Sequence, residues 1–490
     1  MKLLKLFKSK FFFLLFIFIL IGYFSFLNRN HLYNFHYYHL IKNIVTNDHS
    51  LKKFYAQFPE GKIQDENKEL NLNFDNLKLK WFFRPSYTSP VYPYVLLNDV
   101  NKDGIKEVYY ASNTEFLYEL DSNNGEILRK YKIPFGIFSV KGNLLYEHNN
   151  ETFFLGTTGQ SLPVTVLSLN LSENKIKKNW KKFIHGQFVE ASINKIILDS
   201  NKFFLISTRD STFSRGSNNL IDFNGDIKFI SDDIVDICDL RPSIANDNAY
   251  IIGSHNYITH ELSNSIIKKS LFNGDTLWKK KFNHDTGFFT PIIHNKNNEN
   301  YWIFINDLKN NTVILNGKSG EIVNTLNNVN IEAITSNYII SNYFDENGSH
   351  VEFINIDNFK SKFTINHSII ESETITEKFF IFENQNEIEY HGFSFNREED
   401  IIYYKKYLND LLIQDTQIPL NFLNFNKEKY EYSTRDIMGI SKIGDVNNDG
   451  KLEIFIKVYD HLLLFESDLT NEVNFDFDLH PLLTQDAYIF

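Results

Sequence analysis

Two nine-residue segments near opposite ends of the chain carry side chains that could bind a metal cation. Residues 99–107 (DVNKDGIKE) and 445–453 (DVNNDGKLE) both read D-V-N-x-D-G-x-x-E, and strand-like residues follow each of them. Oxygen-bearing side chains at positions 1, 3 and 5 can converge on one hard cation, and the backbone carbonyl at position 7 adds another ligand. Glycine at position 6 permits the sharp turn, and the acid at position 9 closes the shell. The spacing predicts two calcium loops.

Two other interpretations of these segments need weighing. An EF-hand would require a bidentate acid at position 12, where the chain has Tyr110 and Ile456. The EF-hand interpretation therefore fails. An Asx-rich turn without metal is the second alternative, because Asp, Asn and Gly favour turns for local reasons. We favour calcium over that turn because two copies keep the same oxygen and glycine positions in register.

The loops must be held by strands, and from about residue 81 the chain repeats a strand, a polar glycine turn and a second strand. The pattern is clearest at residues 118–128, 220–227, 270–278 and 314–323, and weaker at 167–179, 353–363, 392–404 and 463–475. A period of roughly 40–50 residues without helical patterning is typical of propeller blades. The sequence predicts an all-β fold, a β-propeller of seven or eight blades. A β-solenoid is the alternative, although its coils are usually shorter. Residues 77–83 are predicted to complete the C-terminal blade and close the ring.

The N-terminal residues indicate a membrane anchor. Four lysines precede an uncharged run from Phe11 to Leu27. As a helix this run would be about 25 Å long, just enough to cross a bilayer. The positive-inside rule then leaves the N-terminus cytoplasmic and exports the rest to the periplasm or the cell exterior. A cleaved signal peptide is the alternative, but an A-x-A-like cleavage site is missing.

We therefore divide the chain into a cytoplasmic tip and transmembrane anchor (1–30), a stem or linker (31–75) and the propeller ectodomain (76–490). A packed N-terminal helix is an equally open interpretation of the stem. The net charge of −11 is spread along the chain, which argues against nucleic acid as a partner. Cys238 is the only cysteine, so the chain can form no intramolecular disulfide.

The loop and the hairpin each carry a family resemblance. The D-V-N-x-D-G-x-x-E loop with its following strand resembles the FG-GAP/VCBS repeats of integrin-α-type propellers, and the L-D-x-x-x-G-E-I-L hairpin is similar to repeats of quinoprotein-like propellers. The resemblance covers roughly residues 76–490 and implies a calcium-bearing propeller with Ca²⁺ at two sites. The implied ligands of the two sites are Asp99, Asn101, Asp103, the Ile105 carbonyl and Glu107, and Asp445, Asn447, Asp449, the Lys451 carbonyl and Glu453.

Three classes of function are compatible with this reading. The first is a membrane-tethered binding or adhesion module that presents loops to a protein or glycan, and the second is a scaffold subunit of a membrane assembly. The third is a quinoprotein-like enzyme, although such enzymes characteristically stack their cofactor on a vicinal disulfide that a single cysteine cannot form. No H-E-x-x-H, G-x-S-x-G or P-loop motif occurs. We predict a non-enzymatic binding module. Because both loops lie in the terminal repeats, which would meet where the ring closes, we expect calcium chiefly to protect ring closure.

Overall fold

The computed structural model describes residues 72–74, 76–84, 94–111, 116–132, 144–158, 164–172, 175–184, 188–209, 215–235, 243–245, 247–254, 265–282, 291–297, 300–307, 310–345, 348–366, 375–384, 387–423, 438–459 and 461–470. The predicted anchor, Cys238 and most of the predicted stem lie outside these residues. Within them, no helix is long and apolar enough to cross a membrane.

The described chain is built of strands, apart from one 3₁₀ turn at Asn421–Leu423. The strands are β1 (Leu72–Phe74), β2 (Leu77–Phe83), β3 (Tyr94–Asn98), β4 (Glu107–Ala111), β5 (Phe116–Leu120), β6 (Ile127–Lys132), β7 (Leu144–His148), β8 (Glu151–Thr158), β9 (Val164–Asn170), β10 (Lys177–Ile184), β11 (Phe188–Leu198), β12 (Asn201–Arg209), β13 (Arg215–Asp222), β14 (Ile227–Val235), β15 (Ser243–Ala245), β16 (Ala249–Ser254), β17 (Ser265–Ser270), β18 (Thr276–Lys281), β19 (Ile292–Asn297), β20 (Asn300–Asn306), β21 (Thr312–Asn316), β22 (Ile322–Leu326), β23 (Ile331–Ile334), β24 (Tyr338–Asp345), β25 (Gly348–Asn355), β26 (Ser361–Asn366), β27 (Ile375–Asn384), β28 (Glu387–Asn396), β29 (Ile401–Leu408), β30 (Leu411–Pro419), β31 (Met438–Gly444), β32 (Lys451–Val458) and β33 (His461–Thr470).

These strands form eight antiparallel sheets, which are the blades of a β-propeller. Blades 1 to 7 each take four consecutive strands, from β3–β6 in blade 1 to β27–β30 in blade 7. Blade 8 has the order β1-β2-β33-β32-β31. The prediction of seven or eight blades is thereby resolved to eight.

Blade 8 closes the ring by joining the two ends of the propeller. Strand β2 pairs antiparallel with β33, with Leu77 opposite Ser467 and Phe83 opposite Leu462. The prediction that residues 77–83 complete the C-terminal blade is confirmed. Strand β1, which falls inside the range 31–75 assigned to the stem, pairs with β2 and adds a fifth strand to the sheet.

The hydrophobic core lies between the blades. Eight clusters of buried side chains each join two successive blades, and the cluster between blades 8 and 1 completes the circle. Middle strands are therefore covered on both faces and read as continuous apolar runs, such as Leu462–Phe465 in β33. The fourth strands lie at the rim and alternate exposed and half-buried residues, as in β6 and β18.

Six of the predicted hairpins join the third and fourth strands of blades 1 to 6. The segment 392–404 differs, because it joins the second and third strands of blade 7, β28 and β29. The segment 463–475 begins within β33, which continues to Thr470 and takes β2 as its neighbour in the sheet. The remainder of that segment lies outside the described residues.

Antiparallel pairing divides the strand connections between two faces of the propeller. The links from first to second and from third to fourth strands lie on one face, which includes both predicted calcium loops and which we call the calcium face. The links from second to third strands and between blades lie on the opposite face. Several strand ends on that face are separated by more residues in the sequence, as between Ser254 at the end of β16 and Ser265 at the start of β17.

Candidate metal centre

The first predicted loop is closed by its own side chains. Both carboxylate oxygens of Asp99 accept backbone N–H groups, from Asp103 at 3.0 Å and Gly104 at 2.9 Å. Asn101 Oδ1 also accepts the Asp103 N–H at 2.9 Å, and Asp103 Oδ1 accepts the N–H of Ile105 at 2.8 Å. The side chains at positions 1, 3 and 5 are therefore folded inward over the loop backbone.

The two loops share an unusual backbone conformation at the same positions. Position 4 has positive φ in both, 64° at Lys102 and 61° at Asn448. Position 6 is glycine in both, with φ of 92° at Gly104 and 85° at Gly450. A Cβ atom added to either glycine would meet nothing within 4 Å, so the backbone angle and not a lack of space requires glycine there.

The acids at position 9 tie the end of each loop to its beginning. Glu107 Oε2 accepts the N–H of Val100 at 2.9 Å, and Glu453 Oε2 accepts the N–H of Val446 at 3.0 Å. Glu453 is fully buried and Glu107 nearly so. Each acid is therefore fixed at the base of its own loop.

The second loop repeats this pattern with one difference. Gly450 donates its N–H to Asp445 Oδ2 at 3.0 Å, Lys451 donates to Asp449 Oδ1 at 2.9 Å, and the N–H of Asp449 reaches Asn447 Oδ1 at 3.3 Å. Within the described chain, the buried Oδ1 of Asp445 has no hydrogen-bond partner, although the residue is only 6% exposed. A buried carboxylate oxygen without a partner is costly, and a bound cation would satisfy it.

The structure brings the two loops together at the junction of blades 8 and 1, as their positions in the first and last repeats predict. The backbone N–H of Lys106 donates to the Val446 carbonyl at 2.8 Å, and Lys106 Nζ donates to the Asp445 carbonyl at 2.8 Å. Each of these bonds joins blade 1 to blade 8. Loops that are far apart in sequence thus meet across one blade junction.

Two further charged residues, Lys80 and Glu466, lie beside the second loop and were not predicted from the sequence. Asp449, Glu453 and Glu466 each offer a carboxylate oxygen, and these oxygens lie within 4.8 Å of one another. Lys80 Nζ, on β2, lies 3.4 Å from Glu453 Oε1 and 3.7 Å from Glu466 Oε2. Lys451 Nζ lies 3.4 Å from Glu466 Oε1. The loop is therefore linked electrostatically to the strand that closes the ring.

Burial raises the pKa values of the two acids at position 9. Burial raises the pKa of Glu453, and the hydrogen bond from Val446 and the Lys80 charge only partly oppose it. Burial likewise raises the pKa of Glu107, with repulsion from Glu119 and Asp103 adding to it. A bound cation would favour the ionised form of both acids.

Burial also acts to raise the pKa of Asp449, but other interactions outweigh it. The N–H of Lys451 and the Asn447 amide donate to the carboxylate, and the charges of Lys80 and Lys451 lie close by. The pKa of Asp449 is lowered as a result, so this carboxylate is the more readily ionised one.

The donor set of both loops fits calcium by its chemistry. Carboxylate and amide oxygens are the hard ligands that Ca²⁺ prefers, and six to eight of them form its usual shell. All ten residues predicted as ligands fall within the described chain, with Lys451 as the first residue of β32. The calcium assignment itself remains a prediction.

A second polar constellation is buried in blade 7 and was also missed. His391 is fully buried; its Nδ1 lies 2.8 Å from the Tyr404 hydroxyl and its Nε2 lies 2.8 Å from Glu389 Oε1. Lys406 Nζ lies 2.9 Å from the same carboxylate oxygen, and Asp468 of blade 8 acts on His391 electrostatically. The imidazole is closed to solvent, so we assign it a structural role.

Comparison with known proteins places the chain by fold alone. No protein-family model matches it, and no curated protein sequence matches it. Among solved structures it is similar to a quinohemoprotein alcohol dehydrogenase, ADHIIG, from Pseudomonas putida HK5, at 9% identity and a TM-score of 0.50, over 84% of this chain and 78% of that one. It is also similar to BamB from Moraxella catarrhalis, at 10% identity and a TM-score of 0.46, over 80% and 99% of the two chains. At 9% identity, the likeness to the dehydrogenase extends to the fold alone, and the count of eight blades comes from the sheets themselves.

Proposed function

We propose that this protein is a membrane-anchored, calcium-binding β-propeller that serves as a binding module for a protein or glycan partner. One observation carries the calcium part of this proposal. The two loops of calcium-type spacing meet across the junction of blades 8 and 1, where Lys106 bonds to the Asp445 and Val446 carbonyls.

The position of this junction supports a structural role for the metal. Blade 8 is the only blade of the described ring whose strands come from both ends of the propeller, so its pairing holds the ring closed. Lys80 links the closing strand β2 to the acid at position 9 of the second loop. Two calcium ions, one in each loop with the five predicted residues of that loop as ligands, would neutralise the buried carboxylates.

The binding role is supported by the distribution of connections between the two faces. The segments that connect strand ends on the calcium face are mostly short, whereas several segments between strand ends of the opposite face span more residues of the sequence. Longer connections are where binding residues commonly lie. The anchor predicted at residues 11–27 would hold this module at the outer side of a membrane. A scaffold subunit of a membrane assembly would need the same exposed face, so it is the nearest alternative. No observation in the described chain favours the quinoprotein-like enzyme over these two.

Thermal unfolding of the full-length chain in detergent tests the calcium part, with added calcium, magnesium or chelator. At free calcium of about 100 times Kd, each site adds roughly 2.7 kcal/mol. For a folded unit of ~400 residues this raises Tm by about 3 °C per site. Asp99→Ala should lose about half of the rise. Asp275→Ala, which removes an exposed turn carboxylate from blade 4, is the matched control and should keep all of it. No calcium-specific rise in the wild-type chain would refute the metal assignment.

Site-specific photo-crosslinking in the native membrane tests the binding part. Glu398 and Asp410 are exposed residues in the turns at the two ends of β29, so they lie on the opposite face and the calcium face, respectively. A photoreactive residue at position 398 should give one defined adduct that the same residue at position 410 does not. Equal adducts at both positions, or none at either, would contradict a partner on the opposite face.

A further inference from the structure

We propose that Glu466, on the third strand of blade 8, is an additional ligand of the second calcium site and makes it the tighter of the two sites. This inference rests on the proposed calcium function and adds a residue that lies outside the nine-residue loop. It would fasten the loop directly to β33, the strand that pairs with the closing strand β2.

The geometry of the acidic cluster is the first observation. Glu453 and Glu466 lie directly opposite each other on β32 and β33, and Asp449 joins them from the loop with oxygens within 4.8 Å. Like charges directly opposite each other in an antiparallel pair destabilise the sheet. The Lys80 ammonium, 3.4 Å from Glu453 and 3.7 Å from Glu466, offsets part of this repulsion. A divalent cation between the three carboxylates would offset the rest.

The second observation is the buried carboxylate of Asp445. Its Oδ2 is held inside the loop by the N–H of Gly450, while its Oδ1 meets no partner among the described residues. Asp445 and Asp449 come from positions 1 and 5 of the same loop, and the N–H of Val446, next to Asp445, donates to Glu453. The unsatisfied oxygen therefore belongs to the same loop that supplies two acids of the cluster.

The local charge balance favours a cation. The carboxylates of Asp449, Glu453 and Glu466 lie beside the ammonium groups of Lys80 and Lys451. Asp445 adds a fourth carboxylate and Lys106, on the Asp445 carbonyl, a third ammonium, so a net negative charge is left. The affinity of calcium sites rises with the charge of their ligands and their rigidity, and Glu453 is fully buried.

The first loop lacks this additional ligand. Because Val108 pairs with Leu120, the position opposite Glu107 is Asp121, just beyond the end of β5. Asp121 Oδ1 instead accepts the N–H of Asn123 at 2.8 Å in the hairpin turn. Among the described residues, the cluster at the second loop is the one place where three such acids come together.

Calcium titration by calorimetry tests this assignment on the full-length chain in detergent. In an Asp99→Ala background only the second site is left, so its affinity is read alone. We expect Glu466→Gln to weaken that site by ~10-fold or more, as loss of a ligand should exceed loss of a supporting residue. Glu466→Asp, which keeps the charge but shortens the side chain, should also weaken it. Asp121→Asn, at the matched position of blade 1, should leave it unchanged.

The outcomes separate this inference from the proposed function. If the wild-type chain binds no calcium, the proposed calcium function itself fails. If the wild-type chain binds two ions and neither Glu466 variant changes the second site, only the role of Glu466 is refuted. Thermal unfolding in chelator shows whether each Glu466 variant is folded before it is titrated. If one variant does not fold, the other still tests the assignment.

Discussion

Trp81 gives the sharpest test of how the ring is closed. It lies on β2, is 2% exposed, and donates its indole N–H to the Ser122 carbonyl of blade 1 at 2.8 Å. Its ring also packs edge-on against Phe455 at 6.1 Å between centroids and covers Gly125, where an added Cβ would lie 2.8 Å from the indole. One side chain thus joins the closing strand of blade 8 to the hairpin of blade 1.

We expect Trp81→Ala to destabilise the protein by about 3–5 kcal/mol, because it removes a fully buried aromatic side chain. The entropy of unfolding a unit of ~400 residues is about 0.8 kcal/mol per kelvin, so a loss of ~4 kcal/mol lowers Tm by roughly 5 °C. Trp81→Phe keeps most of the ring but leaves the Ser122 carbonyl without its donor, and should cost about 1–2 kcal/mol. Gly125→Ala should cost about 1–3 kcal/mol, since φ there is +75°.

Scanning calorimetry of the full-length chain in detergent measures these changes. The matched control is Trp180→Ala, because Trp180 makes the same contact between blades 2 and 3, donating to the Phe223 carbonyl at 3.0 Å. Trp180 is only partly buried, so its loss should be smaller. A Trp81→Ala change below about 1 kcal/mol, or one smaller than that of Trp180→Ala, would refute the reasoning.

Two further predictions follow from the polar contacts. Lys106→Met removes the ammonium that bonds to the Asp445 carbonyl, and with it both a contact that holds the second loop and a positive charge beside it. The substitution should therefore change calcium affinity at the second loop without altering a ligand, and unchanged calorimetric affinity would contradict the coupling of the loops. In blade 7, burial acts to raise the pKa of Glu389, but hydrogen bonds from His391 and Lys406 outweigh it and lower that pKa to about 2. Burial lowers the pKa of His391. Both groups bind more protons in the unfolded chain, so the free energy of unfolding should fall as pH drops below about 6.5 and again from about 4.5 towards 2. Urea titrations should show a smaller loss between pH 6.5 and 4.5 in His391→Gln, and an equal loss would contradict the assignment.

Sequence reasoning recovered the architecture where the signal was local. Turn residues and repeat length predicted the hairpins, and the strand at residues 77–83 was placed correctly in the last blade. The number of blades stayed open because some turns lack the glycine signal. Phe359 and Asn409 occupy the positive-φ positions of blades 6 and 7, at 57° and 54°, where the clearer copies have glycine.

The surroundings of the candidate site could not be predicted in the same way. Lys80 and Glu453 are 373 positions apart, and Lys106 and Asp445 are 339 apart, so only the closed ring brings them together. Glu466 lies in an ordinary strand, and nothing in its local sequence distinguishes it as a metal ligand. Register across β32 and β33 is what gives it a place in the cluster.

Hydrogen exchange of the full-length chain, with calcium and with chelator, tests most directly whether the metal holds the ring closed. We predict that calcium slows exchange most in the closing pair, Leu77–Phe83 and His461–Thr470, and in the two loops. Strands of blades 3 to 5, on the far side of the ring, should change much less, because local opening and not global unfolding limits exchange at the closure. Equal protection of all blades, or no change at the closing pair, would contradict the account.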